Sequence, residues 1–414
     1  MIRRIDMSTA RTHSSDILVI GGGLAGLATA IAAAQEGFSC RVLDKGTCEA
    51  ASDTRYDGRA SAISESSVRL LKSLGAWEGM REAANPIEDI LVVDGFSDAK
   101  VHYDHSTMGD TPFGYIIPNA NIRGALLQRA QALPNIHIDF QADIQSYHHD
   151  AHGVRVECAD GTTHHAALML ACDGRFSKTR DWMGIDHRTV MYGQTAIVCT
   201  IAHAKPHHHV AVERFMPRGP FAILPMTENR SCIVWTEPDA MAKHMISLDE
   251  EAFLEELVLR SGDYLGEITL VSERFSYPLS LVQAQRYVGE RSALVGDAAH
   301  GIHPIAGQGI NLGYRDVAAL RDVLLEAKRI GSDIGCAAVL EHYQQWRSFD
   351  AASMAVVMDG LVRLFSNDHA PVRIARRMGL RVVEKLTPTK QFFMMHAMGL
   401  LGDLPEFLQD KHAA

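Results

Sequence analysis

Residues 17–34, ILVIGGGLAGLATAIAAA, constrain the fold more than any other stretch, because an uncharged run of this length must be buried or must cross a membrane. The clustered glycines favour burial. ILVI reads as a strand, GGGLAG as a turn, and LATAIAAAQEG as a helix closed by Gly37. Gly21, Gly23 and Gly26 stand in the spacing G-x-G-x-x-G between that strand and that helix. Such spacing permits a tight turn, brings the backbone close to a pyrophosphate, and lets helix and strand pack closely. The next expected strand, SCRVLDKG, ends in Asp44, placed to accept hydrogen bonds from the ribose hydroxyls of an adenosine.

A second glycine-dense loop, GDAAHGIHPIAGQGINLG at 296–313, lies between an expected strand from Ser292 to Val295 and an expected helix beginning near Gly309. Two such loops could hold two nucleotides or the two ends of one. Asp297, just past the strand end, can accept hydrogen bonds from a sugar or ribityl chain, or can simply cap its own turn. Gly307 and Gly309 let the backbone approach a flat ring. The helix N-terminus aims free N–H groups and a positive dipole end at that position, which suits an anionic ring edge such as that of a reduced flavin.

Composition narrows the class. A formal net charge of -10 over 414 residues argues against general nucleic-acid binding, which needs a basic face. The cysteines, at 40, 48, 158, 172, 199, 232 and 336, include no C-x-x-C pair, a usage that suits a reducing compartment and offers no disulfide redox centre. Residues 1–16 hold basic residues but no apolar core of a secretory signal, and read as a loose leader. The histidine runs at 148–149, 164–165 and 207–209 supply no defined ligand set, so no metal is expected.

GDAAHGIHPIAGQGINLGYRD resembles the second flavin-binding motif of the FAD-dependent aromatic hydroxylases typified by para-hydroxybenzoate hydroxylase, and is most similar to their ubiquinone-biosynthesis branch. The resemblance extends to YDGRASAISESSVRLLKSLGAWEGM at 56–80, NANIRGALLQRA at 119–130, MLACDGRFSKTR at 169–180, GPFAILPM at 219–226 and LFSNDHAPVRIARRMGL in the tail. It implies that both glycine loops hold one FAD, the AMP end at Gly21–Gly26 and the flavin end at Asp297–Asn311. Carried over residue by residue, it implies that Asp297 binds the ribityl chain and that Gly307, Gln308, Gly309, Ile310 and Asn311 face the pyrimidine edge. Pro304 would line the ring where oxygen adds. Arg59, Arg123, Asp173 and Gly174 match further cofactor contacts, although each arginine could equally be a surface or capping residue. Asp44 stands where the family more often has the longer glutamate.

The implied fold is α/β: a Rossmann-like FAD-binding domain at 14–187 and 281–365, an inserted β-sheet substrate domain at 188–280, and a helical C-terminal region at 366–414. The implied chemistry is reduction of FAD by NADH or NADPH, reaction with O2 to a C4a-hydroperoxide, and transfer of its distal oxygen to a phenol ring, here a polyprenylated phenol on the way to ubiquinone. No second G-x-G-x-x-G unit is present, since 307–313 is spaced G-x-G-x-x-x-G, so NAD(P)H is expected to dock transiently at the surface. No residue stands out as the base for the phenol. Phe215, Phe221, Leu224 and Trp235 are candidate lining of the substrate site, or ordinary sheet core.

In PVRIARRMGLRVVEKL at 371–386, helical spacing puts Ile374, Met378, Val382 and Leu386 on one stripe, with Arg373, Arg377, Arg381 and Lys385 beside it. Such a helix fits an anionic membrane surface, a partner protein of the biosynthetic assembly, or the protein's own core. The expected location is the cytoplasm or the inner face of its membrane. Hydroxylation of a soluble aromatic compound, and a scaffold that organises partners at the membrane, are the competing readings.

Overall fold

The computed structural model describes residues 11–409 except 54, 56, 57, 96, 303–308 and 366–369. Pro304, Gly307 and Gln308 therefore lie outside the described residues. The chain opens with β1 (Thr12–Ile20), α1 (Leu24–Gln35), β2 (Cys40–Leu43), α2 (Cys48–Ser52), β3 (Ala60–Ser64) and α3 (Glu65–Ser73). It continues with β4 (Asn85–Ile87), β5 (Asp89–Asp94), β6 (Lys100–Asp104), β7 (Gly114–Pro118), α4 (Asn119–Gln131), β8 (Ile136–Asp139), β9 (Ile144–His149), β10 (Val154–Cys158), β11 (Thr163–Ala171) and α5 (Lys178–Trp182). The middle holds β12 (His187–His203), β13 (Val210–Met216), β14 (Gly219–Met226), β15 (Arg230–Pro238), α6 (Asp239–Ser247), α7 (Glu250–Ser261), β16 (Ile268–Leu270) and β17 (Phe275–Ala284). Last come β18 (Val288–Gly289), β19 (Ser292–Leu294), β20 (His300–Gly301), α8 (Gly309–Arg329), α9 (Ala337–Phe365), α10 (Ala370–Lys385) and α11 (Thr387–Ala397).

The first sheet runs β18-β19-β11-β1-β2-β8, with β10 on β11 and β9 on β10. Pairing is parallel from β19 through β11, β1 and β2 to β8, the arrangement that helical crossovers produce. β1 begins at Thr12, ahead of the expected Ile17, so residues 12–16 are strand and not leader. They escape an apolar-periodicity reading because this extension is half exposed, with Thr12 to Ser15 paired against Thr163 to Ala166. The alanines of α1 let it bury almost every residue from Gly26 to Ala34 between this sheet and α8.

The second sheet, β20-β17-β12-β15-β14-β13-β5-β6 with β16 on β12, reaches beyond the expected 188–280 by taking in β5 and β6 from an earlier part of the chain and β20 from a later one. One face packs on α6 and α7 around Ile197, Phe221, Ile233, Trp235, Phe253 and Leu257. The other face packs on the small sheet β3-β7-β4 and on α11, around Ala62, Ile87, Phe113, Leu224, Met394 and Met398. Among the described residues no helix is long and apolar enough to cross a membrane.

Candidate functional site

The first glycine turn is sterically committed. Gly21 has φ +100°, and a Cβ on Gly26 would stand 1.9 Å from the Gly21 carbonyl oxygen. A Cβ on Gly23 would meet no atom, so the turn faces open space there. Asp44 leaves the end of β2 and accepts from the Gly22 N–H at 2.6 Å and the Gly46 N–H at 2.7 Å, which fixes its carboxylate while leaving acceptor capacity for a diol. Gly21, Gly23, Asp44, Asp173 and Gly174 all line one cleft of about 420 Å³, closed on its far side by Lys178 and Trp182. The Asp173 carboxylate itself is occupied by α5, accepting from Ser177 Oγ at 2.5 Å and from the Thr179 N–H and hydroxyl at 3.1 and 2.9 Å. Arg123 donates to the carbonyls of Ala51 and Asp53 at the end of α2. Arg59 is exposed, and its carbonyl receives the Asn119 N–H at the start of α4.

The second loop begins in a 3-10 turn at Gly296–Ala298, with Asp297 in its first turn. Its side chain is 41% exposed and stands 3.6 Å from Arg175, whose guanidinium also holds the carbonyls of Ser280 and Ile302. The turn is held from behind by Asp316 of α8, which no part of the sequence reading singled out. Asp316 accepts from the Gly296 N–H at 2.8 Å, pairs with His300 Nε2 at 2.6 Å, and binds Arg347 Nε of α9 at 2.7 Å. Burial raises the proton affinity of this carboxyl, but His300 and Arg347 outweigh it and hold the group below the usual carboxylate range. Buried Arg180 adds a bond to the Ala298 carbonyl at 3.0 Å.

Past the undescribed stretch, Gly309 opens α8 with no atom of the described residues near the position of a Cβ, and Ile310 packs against the core. Asn311 joins the helix start to β3: its side-chain oxygen receives the Ser64 N–H at 3.0 Å and its amide donates to the Ala62 carbonyl at 2.8 Å. Ala62, Ile63 and Ser64 then form one wall of an apolar cavity of about 80 Å³ beneath the second sheet. Leu224 is among its lining residues. Phe215 shares the strand face of Ala211 and Glu213 on β13 but does not line this cavity.

Phe221 and Trp235 do not line it. Both are 1% exposed and pack edge to face on the opposite side of the sheet, Trp235 against Phe253 of α7 and under Arg260. The reason is the two-residue period of a strand: Phe221 and Leu224 are an odd number apart and must face opposite ways. The same cavity exposes a residue the sequence reading passed over, Glu213, which is 8% exposed. The available signal was its position in HVAVERFMP, at an inward-facing step of an alternating strand.

The basic side of α10 also differs from expectation. Arg377 is bound to Asp94 of β5 at 2.7 Å, and buried Arg376 reaches the same carboxylate at 2.5 Å. The apolar stripe faces outward instead, with Ile374, Met378, Val382 and Leu386 each about half exposed or more.

A family model described as FAD binding domain matches residues 14–355. Ubiquinone hydroxylase UbiL of Rhodospirillum rubrum is 46% identical, over 95% of this chain and 91% of its own length. The 3-demethoxyubiquinol 3-hydroxylase of Escherichia coli is 32% identical, over 93% of this chain and 99% of its own. In fold the chain is similar to the p-nitrophenol 4-monooxygenase PnpA of Pseudomonas putida, with a TM-score of 0.78, 18% identity, and coverage of 95% of this chain and 99% of that one.

Proposed function

The chain belongs to the family of FAD-dependent ubiquinone hydroxylases, and we propose that it hydroxylates the ring of a polyprenylated phenol with NAD(P)H and O2. The observation that carries this reading is the pairing of a nucleotide cleft lined by Gly21, Gly23 and Asp44 with an apolar cavity whose β3 wall is bonded to Asn311 at the start of α8. The residues present fit FAD: the open face at Gly23 among the described residues, the fixed Asp44 carboxylate, and a part-exposed Asp297 carboxylate. When bound, FAD supplies electron acceptance from NAD(P)H and delivery of one oxygen atom from O2 to the ring.

The protein's own residues hold and exclude. Gly21, Gly23 and Gly26 let the backbone approach the pyrophosphate, Asp44 takes the adenosine ribose, and Asp297 takes the ribityl chain. The Asp316, His300 and Arg347 cluster keeps the Asp297 turn in place. Apolar walls from Ile87, Phe113 and Leu224 exclude water from the reacting ring. NAD(P)H docks transiently, since the chain has one dinucleotide fingerprint. The outward stripe of α10, with Phe392 and Phe393 of α11, meets the membrane surface in which the substrate resides.

A second reading is oxidation of a soluble aromatic compound, since the cavity of about 80 Å³ would need to widen for a ring alone and further for a prenyl tail. Gene deletion decides between them. Mass spectrometry of extracted lipids should find a prenylated phenol lacking one oxygen, cleared by a plasmid copy. Unchanged quinone content in a strain with no redundant hydroxylase would overturn the main reading in favour of the second.

A further inference from the structure

We propose that Glu213 is the hydrogen-bond and proton partner of the substrate's phenolic hydroxyl, a role that rests on the phenol-hydroxylase reading above. The assignment starts from a cost. A carboxyl in an apolar site loses its hydration, and proteins ordinarily compensate it with a cation or a set of donors. Glu213 is buried on the inner face of β13 between Val92 of β5 and Ala222 of β14, and among the described residues it has neither an ion-pair partner nor a hydrogen bond. Among the described residues that line the cavity it is the one that titrates. Ser64, the other polar lining residue, directs its hydroxyl to Ser66 and Ser67 and its N–H to Asn311.

The charged and titratable groups of the surrounding elements are engaged elsewhere. Asp94 of β5 is held by Arg376 and Arg377 of α10, and Asp89 lies beside His102 of β6. Tyr103 of β6 is buried near Glu384, which itself pairs with Lys390 of α11 and receives the His102 N–H. His396 of α11 lies near Arg315 and Asp350, and Tyr115 of β7 packs on Trp77. Arg214, the next residue along β13, donates to the Gly95 carbonyl. Burial alone therefore governs Glu213 and pushes it up to about 8. A carboxyl so placed is matched to a phenol of pKa about 10 far better than an exposed glutamate is.

The step balances. As the ring carbon ortho or para to the hydroxyl bonds to the delivered oxygen, the O–O bond of the oxygen donor would break with its electron pair left on the oxygen that stays with the cofactor, while the phenolic O–H gives its proton to the Glu213 carboxylate and the ring becomes a dienone. The C–H at the oxygenated carbon then loses its proton through water to that cofactor oxygen, the ring regains aromaticity, and the Glu213 carboxyl returns its proton to the former carbonyl oxygen. Glutamate ends as it began. Donation of electron density from the forming phenolate is what makes the ring nucleophilic enough to attack.

The test uses the full-length, FAD-loaded enzyme with 2-diprenylphenol in micelles. Glu213→Gln should lower kcat about 10²- to 10⁴-fold with a smaller change in KM. It should abolish a rise of rate with pH centred near 8, and let NAD(P)H oxidation end in hydrogen peroxide instead of product. A ring-fluorinated phenol, whose hydroxyl ionises more readily, should recover part of the lost rate. Ultraviolet difference absorption of the bound phenol should shift between pH 7 and pH 9 in the parent protein, as its hydrogen-bond partner loses its proton, and stay constant in the variant, a readout independent of turnover. A variant that keeps its FAD together with the parent rate, pH profile and absorption shift overturns the assignment of Glu213. A parent enzyme that oxidises no prenylphenol overturns the functional reading, and this role with it.

Discussion

Glu213 makes a claim about stability that is separate from any claim about catalysis. An unfolded glutamate ionises near its ordinary value of 4.5, whereas burial raises the folded one to about 8. Between those values the folded state binds more protons than the unfolded state, so stability falls as pH rises through that window and levels off above it. At about 1.4 kcal/mol per pH unit, the loss is about 3 kcal/mol by pH 7 and approaches about 5 kcal/mol above pH 8. Glu213→Gln does not titrate and carries no such loss. With an unfolding entropy of about 2.1 cal/mol/K per residue, 3 kcal/mol corresponds to a rise in Tm of about 3 to 4 °C for a chain of this length. Scanning calorimetry of both proteins from pH 5 to pH 9 isolates the effect, because all other titrations are shared. The Tm difference should open between pH 5 and 8 and then hold constant. A difference that is flat across that range would refute the argument that an uncompensated carboxyl lies in the cavity.

Gly26→Ala should yield protein without bound flavin, read from the absence of yellow colour on purification, because the new methyl would collide with the Gly21 carbonyl at 1.9 Å. Asp316→Ala should cost about 1 to 3 kcal/mol by leaving the Gly296 N–H without its acceptor and buried Arg347 with Asp350 as its remaining carboxylate. Because the folded Asp316 pKa is depressed, the parent's contribution from this group is present above the unfolded value of 3.8 and is lost as pH falls below it; a denaturant series that finds the two proteins equally stable at pH 7 would contradict this. Met378→Asp, on the outward stripe of α10, should reduce flotation with anionic lipid vesicles while leaving Tm unchanged; equal flotation would remove α10 from the proposed membrane contact.

What was legible in the sequence is what depends on short range. Gly21, Gly23, Gly26 and Asp44 are fixed by one strand, one turn and the next strand, so their spacing carried the placement of Gly21, Gly23 and Asp44 in the cleft and of Gly26 beneath it in α1. The residues that set the second loop behave differently. Asp316 sits inside α8, where its partners Gly296 and His300 come from the preceding loop and Arg347 from α9, and no local pattern announces that convergence. Phe221 and Trp235 illustrate the opposite error: composition drew them to the cavity, although strand period assigned them to the other face. Arg377 shows the same limit on α10, because helical spacing gives the stripe but not which side meets Asp94.

The placement of α10 and α11 ties the two halves of the functional proposal together. Ala397 at the end of α11 lines the cavity, and Met394 and Met398 anchor that helix in the same apolar core. α10, packed against α11 and β6, turns Met378 and Val382 outward while its inner side is fixed by two arginines on one buried aspartate. One helical pair thus forms a wall of the cavity on one side and an apolar surface on the other. A dry cavity that admits benzene measures about 150 Å³, so the space of about 80 Å³ beside Glu213 must widen to take a phenol ring. The wall contributed by α11 is joined to the rest by apolar contact at Met394 and Met398 and by the Ser66 N–H, which donates to the Met398 carbonyl, whereas the β3 wall is held by two Asn311 hydrogen bonds. Widening at α11 would open the cavity toward the stripe, and a prenyl chain would then extend along that helix into lipid while its ring hydroxyl reaches Glu213. On this geometry the cavity selects the ring, and tail length is left to the membrane.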